Sequence, residues 1–297
     1  MSNIKEQPRK RFLVLDTATA SQAVAVTENE HILAADSSQA DRNHSVGLLD
    51  RIIDVLNTAG VSRQQLDGIA VGVGPGSYTG IRIAVTTAKT LAWTLKLPVA
   101  GFSSLAALAL SGYHAAAQQV TEEQKQNEPA VNDLSVVPSS LQTESPTVMS
   151  NEIGDGSPAT GTDWIIPLID ARRAQVYTGL FTLTDGQSIP VSVEEDRIVL
   201  MELWVQSLVE QYCALEPAER PRHLYVVGET TAHEQRLTPL REVAGDTLII
   251  VENVLEAHEA GVIGAAALLS GQTEPAHTLL PNYTQLSEAE ANLLRQS

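Results

Sequence analysis

Residues 72–84 read Gly-Val-Gly-Pro-Gly-Ser-Tyr-Thr-Gly-Ile-Arg-Ile-Ala and set four glycines and a proline between an apolar run and a helical pattern. The run is Ile69 to Val73, and the pattern opens at Ile81. Such a loop ahead of a helix leaves backbone N–H groups free to hold an anion. Gly74, Gly76, Ser77 and Thr79 are therefore candidate phosphate contacts, and Asp16, which ends the apolar run Phe12 to Leu15, is a candidate partner for a metal-bound phosphate. The opposing reading is a tight strand-to-helix turn whose glycines permit close packing. Two named chemistries are excluded. No Gly-Lys-Ser/Thr follows, as a Walker loop requires. Pro75 and Thr79 occupy the flanking glycine positions of a nucleophile elbow around Ser77.

Other chemistry-bearing residues are sparse. A metal-binding helix beginning at His44 needs a second histidine three or four residues on, and Gly47 and Leu48 stand there, so no metal site is expected. Asp170, Arg172 and Arg173 form either an anion site or a solvated hairpin turn. The single cysteine, Cys213, rules out an internal disulfide and reads as filler on an apolar helix face.

These residues need a scaffold. Phe12 to Leu15, Ala23 to Val26 and Ile32 to Ala35 read as an antiparallel meander opening a mixed sheet. A helix follows from His44 to Ala59, then a strand from Ile69 to Val73, a helix from Ile81 to Leu97, a strand from Val99 to Gly101 and a helix from Ser104 to Ala117. Residues 115–163 recur in proline, Gln, Glu, Ser, Thr and Asn and read as a disordered acidic insertion. Beyond it come strands at Ile165 to Ile169 and Ala174 to Phe181, a helix from Leu200 to Ala214, strands at Leu224 to Val227 and Leu248 to Val251, and a helix from Ala257 to Ser270. The chain thus divides into a flexible segment 1–10, a lobe 11–114, the insertion 115–163 and a lobe with tail 164–297, both lobes being α/β.

The two helices of the first lobe carry more apolar surface than a sheet can cover. Leu48, Leu49, Ile52, Ile53, Val55, Leu56 and Ala59 spread over about half of the first helix. The second helix buries Ile81, Ala84, Val85, Ala88, Leu91, Ala92 and Leu95. Its other side, Ile83, Thr86, Thr87, Thr90, Trp93, Thr94 and Leu97, holds no charge and suggests a protein partner or a third layer of the same chain. Net charge is −17 for 297 residues, concentrated beyond residue 114. Such a chain repels a phosphate backbone, so contact with RNA must run through a partner. The absence of a leader-like segment or a run of ~20 apolar residues points to a cytoplasmic protein without a membrane span.

Together these segments resemble the bacterial TsaB (YeaZ) family, a branch of the ASKHA superfamily of actin-like and Hsp70-like ATPases. The resemblance rests on Leu-Val-Leu-Asp-Thr-Ala-Thr at 13–19, His44-Ser45, the loop Gly-Pro-Gly-Ser-Tyr-Thr-Gly-Ile-Arg-Ile at 74–83, Asp-Ala-Arg-Arg-Ala-Gln-Val-Tyr at 170–177 and Pro-Asn-Tyr-Thr-Gln-Leu-Ser-Glu-Ala-Glu at 281–290. It implies a two-lobed ASKHA fold with mixed sheets flanked by helices. It also implies a non-catalytic, cofactor-free subunit that dimerises with its paralogue TsaD in making N6-threonylcarbamoyladenosine at position 37 of tRNA. The ATPase subunit TsaE is reached through that pair. TsaD holds the metal with His-x-x-x-His; the corresponding positions here are His44 and Leu48. The older peptidase label finds no nucleophile here. The family contact uses the two first-lobe helices, which assigns Leu48, Ile52, Val55, Ile83, Thr86, Thr87, Thr90, Trp93, Thr94 and Leu97 to the interface, and the same face could form a homodimer. The rival reading is an ASKHA-type ATPase or small-molecule kinase working through Asp16, Thr17 and the Gly74–Gly80 loop.

Overall fold

A computed structural model describes residues 8–39, 47–127 and 161–284. Expectations for His44, Ser45 and residues 128–160 lie outside the described residues. The first sheet contains β1 (Arg11–Asp16), β2 (Ser21–Glu28), β3 (His31–Gln39), β4 (Gly68–Gly72) and β5 (Val99–Phe102), with α1 (Leu48–Thr58) and α2 (Tyr78–Leu95) between its strands in sequence. Then comes α3 (Ser104–Asn127). The second sheet contains β6 (Thr162–Asp170), β7 (Gln175–Thr184), β8 (Val191–Leu200), β9 (Leu224–Gly228) and β10 (Leu248–Glu252), accompanied by α4 (Met201–Ala214), α5 (Thr238–Ala244) and α6 (Ala257–Leu269).

The sheets share one topology. Their orders are β3-β2-β1-β4-β5 and β8-β7-β6-β9-β10, reading outward from an antiparallel meander into two parallel strands. This repeated mixed sheet flanked by helices is the two-lobed α/β fold class that the sequence leads one to expect. Strand β8 lacks the period-2 apolar signal: its centre reads Glu-Glu-Asp-Arg, and it is a sheet edge with exposed Val191 and Val193.

Both faces of the first sheet are buried, which is why β1 and β2 read as near-continuous apolar runs rather than alternating ones. Leu13, Leu15, Val24 and Val26 point towards α1 and α2, while Phe12, Val14, Ala23 and Ala25 point the other way. That second face is covered by α6, which crosses all five strands although it belongs to the far end of the chain. In exchange, α3 packs on β6, β7, β9 and β10 of the second sheet. The layers therefore run α1 and α2, first sheet, α6 with α3, second sheet, then α4. Divisions at residues 114 and 164 do not separate two packing units. The helix α3 also continues to Asn127, well into the segment expected to be disordered.

Beyond its first turn, which carries His258 and Glu259, helix α6 is apolar on every side, as a helix sandwiched between sheets must be. Its approach depends on small residues. A Cβ on Gly264 would sit 2.6 Å from Val14 Cγ1 and 2.9 Å from Ala70 Cβ. Cys213, expected inside, is exposed on α4; the buried face of that helix is Met201, Trp204, Val205, Leu208 and Tyr212. Among the described residues no helix is long and apolar enough to cross a membrane.

Replacing Gly264 with Val should push α6 off the first sheet and cost about 2–3 kcal/mol by overpacking. Because α6 joins both sheets, urea unfolding followed by far-ultraviolet dichroism and by Trp204 fluorescence should shift together. A shift in one signal alone would show that the two halves unfold separately.

Candidate functional site

The glycine loop lies against the turn that follows β1, and its contacts are internal. Ser77 N donates to Ala18 O at 2.7 Å, Gly74 N to Ser104 Oγ at 3.2 Å, and Ile81 N to Ser77 O at 2.9 Å. The Ser77 hydroxyl caps α2 by accepting from Gly80 N at 3.3 Å, an ordinary N-cap role. Thr17 Oγ1 donates to Gly80 O at 2.6 Å. Gly76, at φ +152°, lies over the Ala18 carbonyl, and a side chain there would strike it. Thr79 is exposed on the first turn of α2. The amides of Gly74, Ser77 and Gly80 are thus bonded to the protein itself.

Asp16 is fully buried, not displayed at a cleft. Its carboxylate fills the space that a side chain on Gly72 would take, which is why position 72 is glycine. Oδ1 accepts from Ala18 N at 2.7 Å. Burial pushes this carboxyl up to about 6, against the opposing pull of the Ala18 amide and the nearby Ser104 hydroxyl. Asp196 on β8 behaves alike: burial raises it to about 6, opposed by Ser103 Oγ, which donates to it at 2.6 Å. Ser103 therefore ties Asp196 of the second sheet to the start of α3, and Ser104 beside it holds the Gly74 amide of the glycine loop. Asp196 gave no sequence signal, because it sits in the charged centre of β8. The nucleotide phosphate and metal that an ASKHA fold implies do not fit this loop: the Asp16 carboxylate is buried and the amides of Gly74, Ser77 and Gly80 are engaged within the protein.

The turn at Asp170 is a hairpin between β6 and β7, with Arg172, Arg173 and Ala174 at φ 64°, 52° and 60°. Ala171 N and Gln175 O close it at 2.9 Å. Asp170 Oδ1 meets His233 Nε2 at 3.2 Å, and Asp170 N donates to Glu229 Oε2 at 2.8 Å. Arg172 and Arg173 are exposed, and the Arg172 amide donates to Asp170 Oδ1 at 3.3 Å. The solvated-turn reading fits this geometry. Farther along, a polar cavity of about 650 Å³ is lined by Thr230, Thr231, Arg241 and Glu252 among others. Burial raises the Glu252 carboxyl, yet hydrogen bonds from the amides and hydroxyls of Thr230 and Thr231 outweigh it and hold the group below its ordinary range.

What remains open is the outer surface of α1 and α2. On α2 the expected side is there: Thr86, Thr90, Trp93 and Thr94 are exposed, Trp93 by 71%, and Ile83, Thr87 and Leu97 are half-buried. On α1 the assignment needs correction. Leu48, Ile52 and Val55 are 2–5% exposed and sit in the core beneath the helix, with Leu13, Val24 and Val26. They cannot face a partner. The exposed apolar residues are Leu49 and Ile53, at 61% and 54%, with Leu56 half-buried beside them. An apolar arc of half a helix contains two stripes, and the sequence alone does not say which one the sheet takes.

A family described as "TsaD: tRNA N6-adenosine threonylcarbamoyltransferase" matches residues 33–122, the stretch from β3 to α3. The Bacillus subtilis tRNA threonylcarbamoyladenosine biosynthesis protein TsaB is 29% identical over 280 residues, covering 94% of this chain and 96% of the relative. The Escherichia coli protein of the same name is 37% identical over 99 residues, 33% of this chain and 42% of the relative. Among solved structures, YeaZ from Pseudomonas aeruginosa superposes with a TM-score of 0.62 at 21% identity, covering 92% of this chain and 99% of that one. A second Pseudomonas aeruginosa structure, described as similar to peptidase YEAZ, gives 0.63 at 22% identity over 93% and 100%.

The sealed Asp16 has a measurable consequence. Its pKa is raised on folding, from an ordinary 3.8 to about 6, so the folded state binds the proton more tightly. This group adds nothing unfavourable below about pH 4; its stability contribution falls as pH rises to about 6 and stays low above that. The loss amounts to about 3 kcal/mol. Urea unfolding between pH 4 and 7 should show Asp16→Asn gaining on the parent chain by that order as pH rises. Parallel curves would mean that the carboxylate is solvated in the folded protein.

Proposed function

Because the chain belongs to the TsaB (YeaZ) family, we propose that it acts in tRNA N6-threonylcarbamoyladenosine biosynthesis as a non-catalytic subunit that binds and supports the TsaD transferase. The observation that carries this reading is the apolar and threonine stripe exposed along α1 and α2, flanked by Asp50 and Asp54 on α1 and Arg82 on α2. A helix on a protein surface ordinarily shows charge to water, whereas α2 exposes Thr86, Thr90, Trp93 and Thr94 and α1 adds Leu49 and Ile53. The exposed Trp93 is the kind of aromatic anchor on which interfaces concentrate their affinity. The match of residues 33–122 to the TsaD family supports a partner of the same build. Equivalent helix pairs would then pack face to face as a four-helix bundle. In the absence of TsaD the same face would pair two copies of this chain. The strongly acidic composition assigns tRNA binding to the complex, and TsaE would engage this chain only through TsaD.

The rival reading, an ATPase or small-molecule kinase, needs Asp16 and the loop amides of Gly74 to Gly80 turned towards a ligand. Their internal hydrogen bonds and the burial of Asp16 weigh against it. Titration calorimetry with ATP and magnesium separates the two, since binding and turnover by the isolated chain would favour the kinase.

Ile53→Asp and Trp93→Asp should each abolish co-purification with TsaD and leave the circular dichroism spectrum and melting temperature nearly unchanged, because both side chains are exposed. Ile52→Asp, by contrast, should unfold the protein by burying an unpaired charge. Retention of TsaD by both surface variants would remove this face from the interface.

A further inference from the structure

The cavity beside β10 is built differently from the closed glycine loop. Its volume of about 650 Å³ is that of a small-molecule site. It lies between β10 and the stretch that runs from Thr230 through α5 to Gly245. Strand β10 is a sheet edge that pairs with β9 alone, so no further strand closes this side. Leu248, Ile250 and Glu252 alternate along β10 and therefore share a face. The first two are half-buried and make an apolar wall, and the third sets a carboxylate at its end.

That carboxylate is fixed by the chain but only half used. Its Oε2 accepts from the amides and hydroxyls of Thr230 and Thr231, all at 2.7–2.9 Å. Its Oε1 accepts no hydrogen bond among the described residues. A turn needs one oxygen to be capped in this way, which leaves the second for a donor from outside the chain. On another wall stands Arg241, in the last turn of α5. Glu234 and Asp246 line the same cavity, yet among the described residues Arg241 has neither an ion pair nor a side-chain hydrogen bond. The cavity thus offers an anchored carboxylate, a guanidinium that does not touch it, and an aliphatic surface. A ligand that answers all three carries an ammonium, a separate carboxylate and an apolar side chain. A purely anionic ligand would meet three carboxylates here, and a polycation would meet Arg241, so both are selected against.

We propose that this cavity binds a small aliphatic zwitterion of dipeptide size. Its ammonium donates to Glu252 Oε1, its carboxylate accepts from Arg241, and its side chain packs on Leu248 and Ile250. No residue of α1 or α2 lines the cavity, so the site stands whether or not that helix pair binds TsaD.

Glycyl-leucine is the probe, titrated into the 15N-labelled full chain while the amide signals of Thr231, Leu248 and Ile250 are followed. N-acetyl-glycyl-leucine lacks the ammonium and glycyl-leucinamide lacks the carboxylate, and each should bind about tenfold more weakly. Arg241→Gln, at an exposed position, should weaken glycyl-leucine to the level of its amide and leave the affinity of the amide unchanged. A general loss of structure would weaken both. Glu252→Gln should act in the same way on glycyl-leucine and its N-acetyl form; if it loosens the Thr230–Thr231 turn and lowers the melting temperature, the Arg241 comparison decides alone. Absence of shifts at millimolar probe would overturn the proposal. So would equal binding of the three probes, which would mean an aliphatic contact without charge recognition.

Discussion

The inner face of the first sheet is shallow, and only a helix with almost no side-chain bulk at its contact points can cover it. Ala23, Ala25, Ala70 and Ala100 form the floor, and α6 meets it with Gly261 and Gly264. A helix of ordinary width would leave a gap there, and lost dispersion contacts would follow. The helix that fits comes from the other end of the chain. The first hundred residues consequently cannot complete their own core, and α3 is freed to cover the second sheet. Every later feature depends on that exchange. It brings the tail back to α2, where Lys89 Nζ donates to Leu279 O, sets Ser103 against Asp196 and Ser104 against the glycine loop, and leaves α1 and α2 as the outermost layer.

The packing also explains why the glycine loop is closed. With α6 filling the space behind β1 and β4, the carboxylate at the end of β1 is held in the protein interior beneath Gly72. Its neighbours then use their amides on one another. A phosphate would have to replace the internal hydrogen bonds of the Gly74 and Ser77 amides and lie near a buried carboxylate, and both cost free energy.

Much of the fold is legible in the residues, and the exceptions have physical causes. Strands buried on both faces, such as Leu13 to Leu15 and Ile69 to Val71, announce themselves as short apolar runs between turn residues, and helices ending at glycine or proline give their bounds to within a few positions. Edge strand β8 does not, because only one of its faces meets a core and its centre is charged. The interior location of Leu48, Ile52 and Val55, as against the exposure of Leu49 and Ile53, was not legible either. Both stripes are equally apolar, and the choice is made by the registry of α1 on β2 and β3, which is a tertiary fact. On α2 the choice was legible, since its buried side uses Ala84, Ala88 and Ala92 to come close to the sheet while the other side uses threonine. The internal duplication was visible only faintly, as an aspartate ending the apolar runs at Asp16 and Asp170.

The duplication shows that closure of the central edge is not an accident of one loop. In the first lobe Gly76 overlies the carbonyl of Ala18, just past the end of β1. In the second lobe Gly228, at φ +96°, overlies the carbonyl of Leu168 near the end of β6, and its amide is held by Asn253 Oδ1 at 2.6 Å. In both, the chain at or just past the end of the fourth strand is laid on the first strand's end through a glycine, Gly76 in the loop after β4 and Gly228 as the last residue of β9. Opening either edge to a ligand means lifting a loop from a carbonyl it already contacts, and each aspartate nearby is already engaged, Asp16 by Ala18 and Asp170 by His233. Beside the polar cavity at Thr230 and Glu252, the surface open to a protein partner lies on the outer layers. Of these, the pair α1 and α2 is the one that shows tryptophan, leucine and isoleucine, where charge would otherwise face water.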